Sequence, residues 1–149
     1  MKILVVNGPN LNFLGIREKD IYGSRDYNYL LGLLEQKAVD MKATIEVFQS
    51  NSEGEIIDRL QKAYNDKVVG IVINPGAYTH YSYAIRDALS SIDVPKIEVH
   101  ISNIYKREEF RQKSVTAAAC SGQISGLGLK GYLLAIDAIA DMTAEKEGQ

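Results

Sequence analysis

The chain has 149 residues, 46% hydrophobic and 24% charged, with a net charge of -2 and a pI near 5.7. That length suits a single catalytic domain, 1–149, able to bury roughly 70% of its unfolded surface, and the weak acidity argues against a nucleic-acid partner, which needs a basic excess. No apolar run approaches a membrane span and no signal-peptide layout opens the chain, so no membrane partner and a cytoplasmic setting are expected.

Apolar runs alternate with helical patterns from end to end. Strands are predicted at Lys2–Val6, Thr44–Gln49, Val69–Asn74, Lys96–His100 and around Gly122–Ser125. Between the first two, Leu30, Leu31, Leu34, Ala38 and Met41 trace one helix face; Ile56, Leu60, Ala63 and Tyr64 trace the next. Ser52 and Glu55 have the spacing of a capping box at the start of that second helix. A third helix carries Ala84, Ile85, Ala88 and Leu89, and a short fourth is predicted over Ile104–Phe110. The last begins near Gly131 and runs into a polar tail, Thr143–Gln149, expected to fray.

Strands alternating with helices imply a parallel sheet covered on both faces. The first, third and fourth strands are apolar and read as central, whereas Glu46 and Gln49 mark the second as an edge. The expected fold is α/β, a flavodoxin-like doubly wound five-stranded parallel sheet of strand order 2-1-3-4-5.

The candidate chemistry lies beyond the carboxyl ends of the strands, where such sheets bind ligands. The loop after the first strand, Asn7–Gly23, far exceeds the usual ~2–6 residues. It holds Asn7, Asn10 and Asn12, suited to gripping a small oxygenated molecule, and the pair Arg17 and Tyr22. Ionising a free phenol at neutral pH costs roughly 4 kcal/mol, and a cation about 4 Å away at an effective dielectric of 20 offers about as much. Desolvation works against it. A packing tyrosine is the competing reading, since the chain has nine tyrosines.

After the third strand comes Asn74-Pro75-Gly76-Ala77-Tyr78-Thr79-His80, and the fourth ends in Glu98-Val99-His100-Ile101-Ser102-Asn103. Glu98 and His100 are two apart on a strand and face the same way. A carboxylate beside an imidazole fixes its tautomer and stabilises its protonated form, which suits a proton donor. The alternative is a strand-end histidine satisfying a backbone carbonyl. Arg111 could grip a carboxylate through its planar fork, yet alone it reads, like Asp87, as a solvated helix charge. With one cysteine, Cys120, and two histidines, a dedicated metal site is not expected, and Cys120 reads as a small buried hydrophobe. The segment Gly126–Gly131 matches G-x-G-x-x-G but follows the last strand, so it reads as a turn packing the final helix, not a dinucleotide site.

Together these residues closely resemble the type II 3-dehydroquinate dehydratases, or type II dehydroquinases. The resemblance covers nearly the whole chain and rests on four blocks, Asn7–Gly23, Asn74–His80 with Arg86-Asp87, Glu98–Asn103 and Arg107–Arg111. It implies removal of water from 3-dehydroquinate to give 3-dehydroshikimate through an enolate, in the shikimate pathway, without metal or organic cofactor. By resemblance Tyr22 is the base, Arg17 its activating cation, His100 the general acid and Glu98 its orienting partner. Asn10 corresponds to the residue holding a water against the enolate. Asn74, His80, Ile101, Ser102 and Arg111 match substrate-binding positions, and Asp87 matches one reaching a neighbouring subunit's site. The implied assembly is a homododecamer built from trimers. Lys19, Phe13, Ser52, Tyr81 and Tyr83 depart from the family pattern, and none is a proposed proton-transfer group. Two alternatives stay open at this level: a flavin-binding module, disfavoured because Asn7–Gly15 holds no Ser or Thr, and a binding module of the same fold without turnover.

Overall fold

Alternation along five strands sorts the apolar side chains into two cores, one on each side of a parallel sheet. The computed structural model describes residues 1–16 and 25–148. Strands β1 (Lys2–Asn7), β2 (Thr44–Gln49), β3 (Gly70–Asn74), β4 (Lys96–His100) and β5 (Gly122–Ser125) are all parallel, in the order β2-β1-β3-β4-β5. This is the order expected from the apolar runs, with the mixed strand β2 at an edge. Strand β1 extends one residue past its expected end because Asn7 still pairs in register with Gln49 and Asn74.

Ile3 and Val5 of β1, Val72 of β3, and Ile97 and Val99 of β4 face helices α1 (Tyr27–Met41) and α4 (Lys130–Glu147). Leu4, Val6, Ile71 and Ile73 face α2 (Glu53–Asp66) and α3 (Tyr83–Ser90). Each fully buried Leu or Ile contributes about 1.5–3 kcal/mol relative to exposure, so period-two alternation on the central strands drives helices onto both faces. The helices start where the sequence supplies caps. Asp26, Ser52 and Ser82 accept from the backbone N–H groups of Tyr29, Glu55 and Ile85 at 2.9, 3.3 and 3.0 Å. The capping box at Ser52 is half formed, because the Glu55 carboxylate turns to the Ser50 hydroxyl, which accepts from the Ser52 N–H.

Several expectations are corrected. Leu31 is only half-buried and stands outside the core, where Tyr27 and Leu33 pack beside Leu30 and Leu34 instead. Tyr64 and Ala84 are exposed; a wide i, i+3, i+4 stripe overreaches at its margins. No α-helix forms over Ile104–Phe110, where two 3-10 turns, Ile104–Lys106 and Glu109–Arg111, flank an extended Arg107. Ile104 is the one fully buried side chain in that stretch, too few to hold a helix against the sheet. Conversely, the final helix continues to Glu147 through most of the segment expected to fray, carried by the strong helix formers Ala144, Glu145 and Lys146.

The crossover from β4 to β5 is therefore built from turns, not from an apolar helix. On the face it covers, β4 presents Lys96, Glu98 and His100, all buried, where β1 and β3 present aliphatic side chains. At the other central edge, the exits of β1 and β3 touch. The Gly8 N–H donates to Asn74 O at 2.8 Å, and a Cβ on Gly8 would stand 2.3 Å from Pro75 O. Gly8→Ala should lower stability by about 2 kcal/mol or more, as overpacking against backbone does. An unshifted urea midpoint would show that these two loops part easily.

Candidate active site

The loops leaving β1, β3 and β4 enclose a cavity of about 310 Å³, at the small end of the ~300–1,000 Å³ usual for small-molecule sites. Asn10, Leu11 and Gly15 line it from the first loop, and Asn74, Gly76 and His80 from the second. The third supplies His100, Ile101 and Ser102, followed by Arg107 and Arg111. Seven of the residues singled out from sequence thus meet in one place: Asn10, Asn74, His80, His100, Ile101, Ser102 and Arg111. Glu98 stands behind His100. Asp87 does not line the cavity and is exposed on α3. Arg17 and Tyr22 lie outside the described residues.

Glu98 is fully buried, and among the described residues four side chains donate to its carboxylate. Oε2 accepts from His100 Nε2 at 2.9 Å, Ser114 Oγ at 2.7 Å and Gln123 Nε2 at 2.8 Å, and Oε1 accepts from Thr116 Oγ1. Burial alone would raise its pKa. The hydrogen bonds from His100 and Thr116, the charge of His100 and the bond from Ser114 outweigh it, and the carboxyl titrates below its usual range. His100 therefore faces an anion, as the strand spacing implied, and not a backbone carbonyl. With Nε2 held by the carboxylate, Nδ1 is the nitrogen through which this ring can exchange a proton with a substrate.

A second web joins the ends of β1 and β3 to α4. Tyr132, fully buried, donates through its hydroxyl to Asn7 Oδ1 at 2.6 Å and accepts from Asn74 Nδ2 at 3.0 Å. Asn74 Oδ1 in turn accepts from the Gly76 N–H at 3.1 Å, so this amide shapes the turn as well as lining the cavity. Burial pushes the Tyr132 phenol far above its ordinary value, against the bond from Asn74, and the side chain is fully buried and does not line the cavity, so it is not placed to act as a base. Asn10 adopts a left-handed backbone (φ 70°), its N–H held by Asn51 Oδ1 at 3.0 Å. Asparagine tolerates that conformation better than most residues.

His80 stacks edge-on to Phe110, and its Nδ1 bonds to Lys113 O at 2.8 Å. Arg111 Nε donates to Glu108 Oε2 at 2.5 Å, and its guanidinium lies over the Phe110 ring at 4.7 Å. That bond, then the charge of Arg111, holds the exposed Glu108 carboxyl below its ordinary range. The two arginines give the cavity a cationic wall suited to an anionic ligand. Cys120 is no nucleophile: burial, then the charge of Glu98, pushes its thiol up to about 12, against the charge of Lys96.

Sequence reasoning missed Arg107 as a wall residue and Ser114, Thr116 and Gln123 as the donors around Glu98. Arg107 was visible, four residues before Arg111 in a block already singled out. The hydroxyl donors carried no signal beyond being small polar residues in the crossover. The glycine-rich turn behaves as expected, with no free anion cradle at two of its amides: Gly126 and Gly128 donate to His100 O and Ile101 O at 3.1 and 3.0 Å. At Gly131 a Cβ would come within 3.3 Å of Val99 Cγ1, so the glycine lets α4 sit close on the sheet.

The Dehydroquinase class II family profile matches residues 1–140. This chain belongs to the class II dehydroquinases. A curated relative from Lachnoclostridium phytofermentans, named 3-dehydroquinate dehydratase, is 72% identical over 142 residues, 95% of this chain and 98% of the relative. A second from Lachnospira eligens, of the same name, is 62% identical across 98% of this chain and 100% of its own. The crystal structure of the type II dehydroquinase from Butyrivibrio crossotus matches with a TM-score of 0.91 and 61% identity, over 94% of this chain and 97% of that one. The class II dehydroquinase match takes in all five strands and every segment that lines the cavity.

The depressed Glu98 pKa has a consequence for stability. Its ionised form stabilises the fold fully above the unfolded value of about 4.5, and that contribution disappears as pH falls through the lower folded value. Glu98→Gln should therefore cost about 3 kcal/mol at neutral pH, as breaking a buried pair does. The gap from wild type should narrow in acid. Urea unfolding at both pH values checks this, and a gap that stays constant would contradict an ionised, donor-held carboxylate.

Proposed function

We propose that this chain is a hydro-lyase, a single catalytic domain that removes water from 3-dehydroquinate to give 3-dehydroshikimate within the cytoplasmic shikimate pathway. The observation that carries the reading is the buried Glu98–His100 pair opening onto an arginine-walled cavity, in a chain whose curated relatives bear the name of that activity. Loss of a tertiary hydroxyl from the carbon β to a ketone needs three things: a base for the carbon next to the carbonyl, stabilisation of the enolate, and a proton for the departing oxygen.

His100 supplies the last of these. Glu98 holds Nε2–H, so Nδ1–H is the proton delivered to the hydroxyl, and the imidazole returns to the single neutral tautomer that the carboxylate favours. The base is Tyr22, its phenolate favoured by Arg17, an assignment supported by the family's motif and by the burial that removes Tyr132 from contention. Asn10, at the cavity wall, holds the water that faces the enolate. Asn74, His80, Ile101 and Ser102 position the ring, and the terminal nitrogens of Arg111 meet the substrate carboxylate. Asp87, on the outer surface of α3, serves the site of a neighbouring subunit in a homododecamer built from trimers. No metal or organic cofactor takes part.

Purified protein mixed with 3-dehydroquinate should produce the ultraviolet absorbance of a conjugated enone, and no rise alongside an active control enzyme would end this reading. Tyr22→Phe and His100→Ala should each cut turnover by about 10²–10⁴-fold, the usual worth of a general base or acid, with circular dichroism unchanged. Near-wild-type turnover in Tyr22→Phe would remove Tyr22 as the base. Light scattering on the same preparation reads the assembly, where a monomer would contradict the dodecamer.

A further inference from the structure

Three hydroxyls stand in a triangle behind the Glu98–His100 pair. Thr79 Oγ1 is 2.7 Å from Thr116 Oγ1 and 3.1 Å from Ser114 Oγ, and the last two are 3.2 Å apart. Each hydroxyl carries one proton, which makes the direction of the bonds a matter of counting. Ser114 spends its proton on Glu98 Oε2, and Thr116 spends its own on Oε1. Thr79, the one of the three with a proton left to give, is then the donor to Thr116, its shorter contact. The shortest run is Thr79 to Thr116 to Glu98, met from the other side by His100, with every bond pointing at the carboxylate.

The two carboxylate oxygens are unequally held. Among the described residues, Oε2 has three donors, and Oε1 has Thr116 alone. Glu98, Thr79 and Thr116 are all fully buried, and among the described residues His100 is the one basic side chain paired with Glu98. A buried carboxylate that served packing alone would be more cheaply replaced by an aliphatic side chain. The other titratable groups close by are Cys120 and Lys96 around Glu98, and His80, Arg107 and Arg111 around the cavity that His100 lines.

We infer that Thr116, backed by Thr79, is a positioning residue for the reaction, keeping Glu98 ionised through Oε1 and thereby holding His100 as the Nε2–H tautomer with Nδ1 toward the substrate. The role rests on the dehydratase reading only for its effect on turnover. Without the Thr116 hydroxyl, Oε1 is a buried acceptor with no donor among the described residues, and the carboxyl answers by retaining a proton there. A neutral carboxylic acid can both give and accept a hydrogen bond, so it no longer selects between the two imidazole tautomers.

The test is Thr116→Val with Thr116→Ser as the conservative rescue, read by imidazole nitrogen NMR at mildly alkaline pH and by steady-state kinetics. The chain has two histidines, so a His80→Asn background assigns the His100 signals without ambiguity. Wild type should show one His100 tautomer, protonated at Nε2. Thr116→Val should show a mixture, with kcat lower by about 10- to 100-fold, a share of the ~10²–10⁴ that a general acid supplies, and KM little changed. Thr116→Ser should restore both. Thr116→Ala, which removes the same hydroxyl with a smaller side chain, should produce the same changes and carries the test if Thr116→Val does not fold. A pure Nε2–H tautomer in whichever variant folds, or a Thr116→Ser that fails to restore it, overturns the inference. If wild type turns over no 3-dehydroquinate, the proposed function falls, and the tautomer measurement still decides the role of Thr116.

Discussion

A carboxylate with no access to water sits in the middle of this sheet, and the surrounding structure is arranged to keep it charged. Removing an ion of that size from water costs several kcal/mol even after relaxation. Glu98 meets that cost with four directed donors from three parts of the chain: its own strand, the crossover and β5. An apolar helix over this face would have offered methyl groups. The turns between β4 and β5 offer hydroxyls, so the irregular crossover and the buried acid are two sides of one solution.

The same crossover reaches further than Glu98. Lys113 O holds the His80 ring, and the Val115 N–H donates to Thr79 O at 2.8 Å, so four consecutive residues set the orientation of both histidines. On the opposite side of the cavity, Tyr132 ties Asn7 and Asn74 together from α4. These two buried polar webs clamp the ends of β1, β3 and β4 from either face. A cavity framed this way keeps its polar groups at defined angles, which is the condition for acid–base chemistry to be worth several orders of magnitude.

Much of this was readable in the residues. The strand order followed from the continuous aliphatic runs of β1 and β3, which suit strands covered on both faces, and from the mixed composition of β2. The Glu98–His100 contact followed from the two-residue repeat of a strand. The segment Ile104–Phe110 was misread because its charges resemble those of a surface helix, while one buried side chain, Ile104, cannot anchor such a helix to the sheet. Tyr64 and Ala84 failed in a related way, since periodicity marks a direction on a helix and not the width of what covers it.

Local chemistry along the chain determined the elements, their caps, the polarity of three loops and the family to which the protein belongs, since each depends on residues near in sequence. Tertiary structure alone decided that Thr79, Ser114, Thr116 and Gln123 would meet at one carboxylate and that Tyr132 would be a buried strut. Hydroxyls, amides and phenols acquire a role only from their partners. Those partners are 16 to 25 residues away for Glu98 and as many as 125 for Tyr132, distances that no repeat or motif encodes.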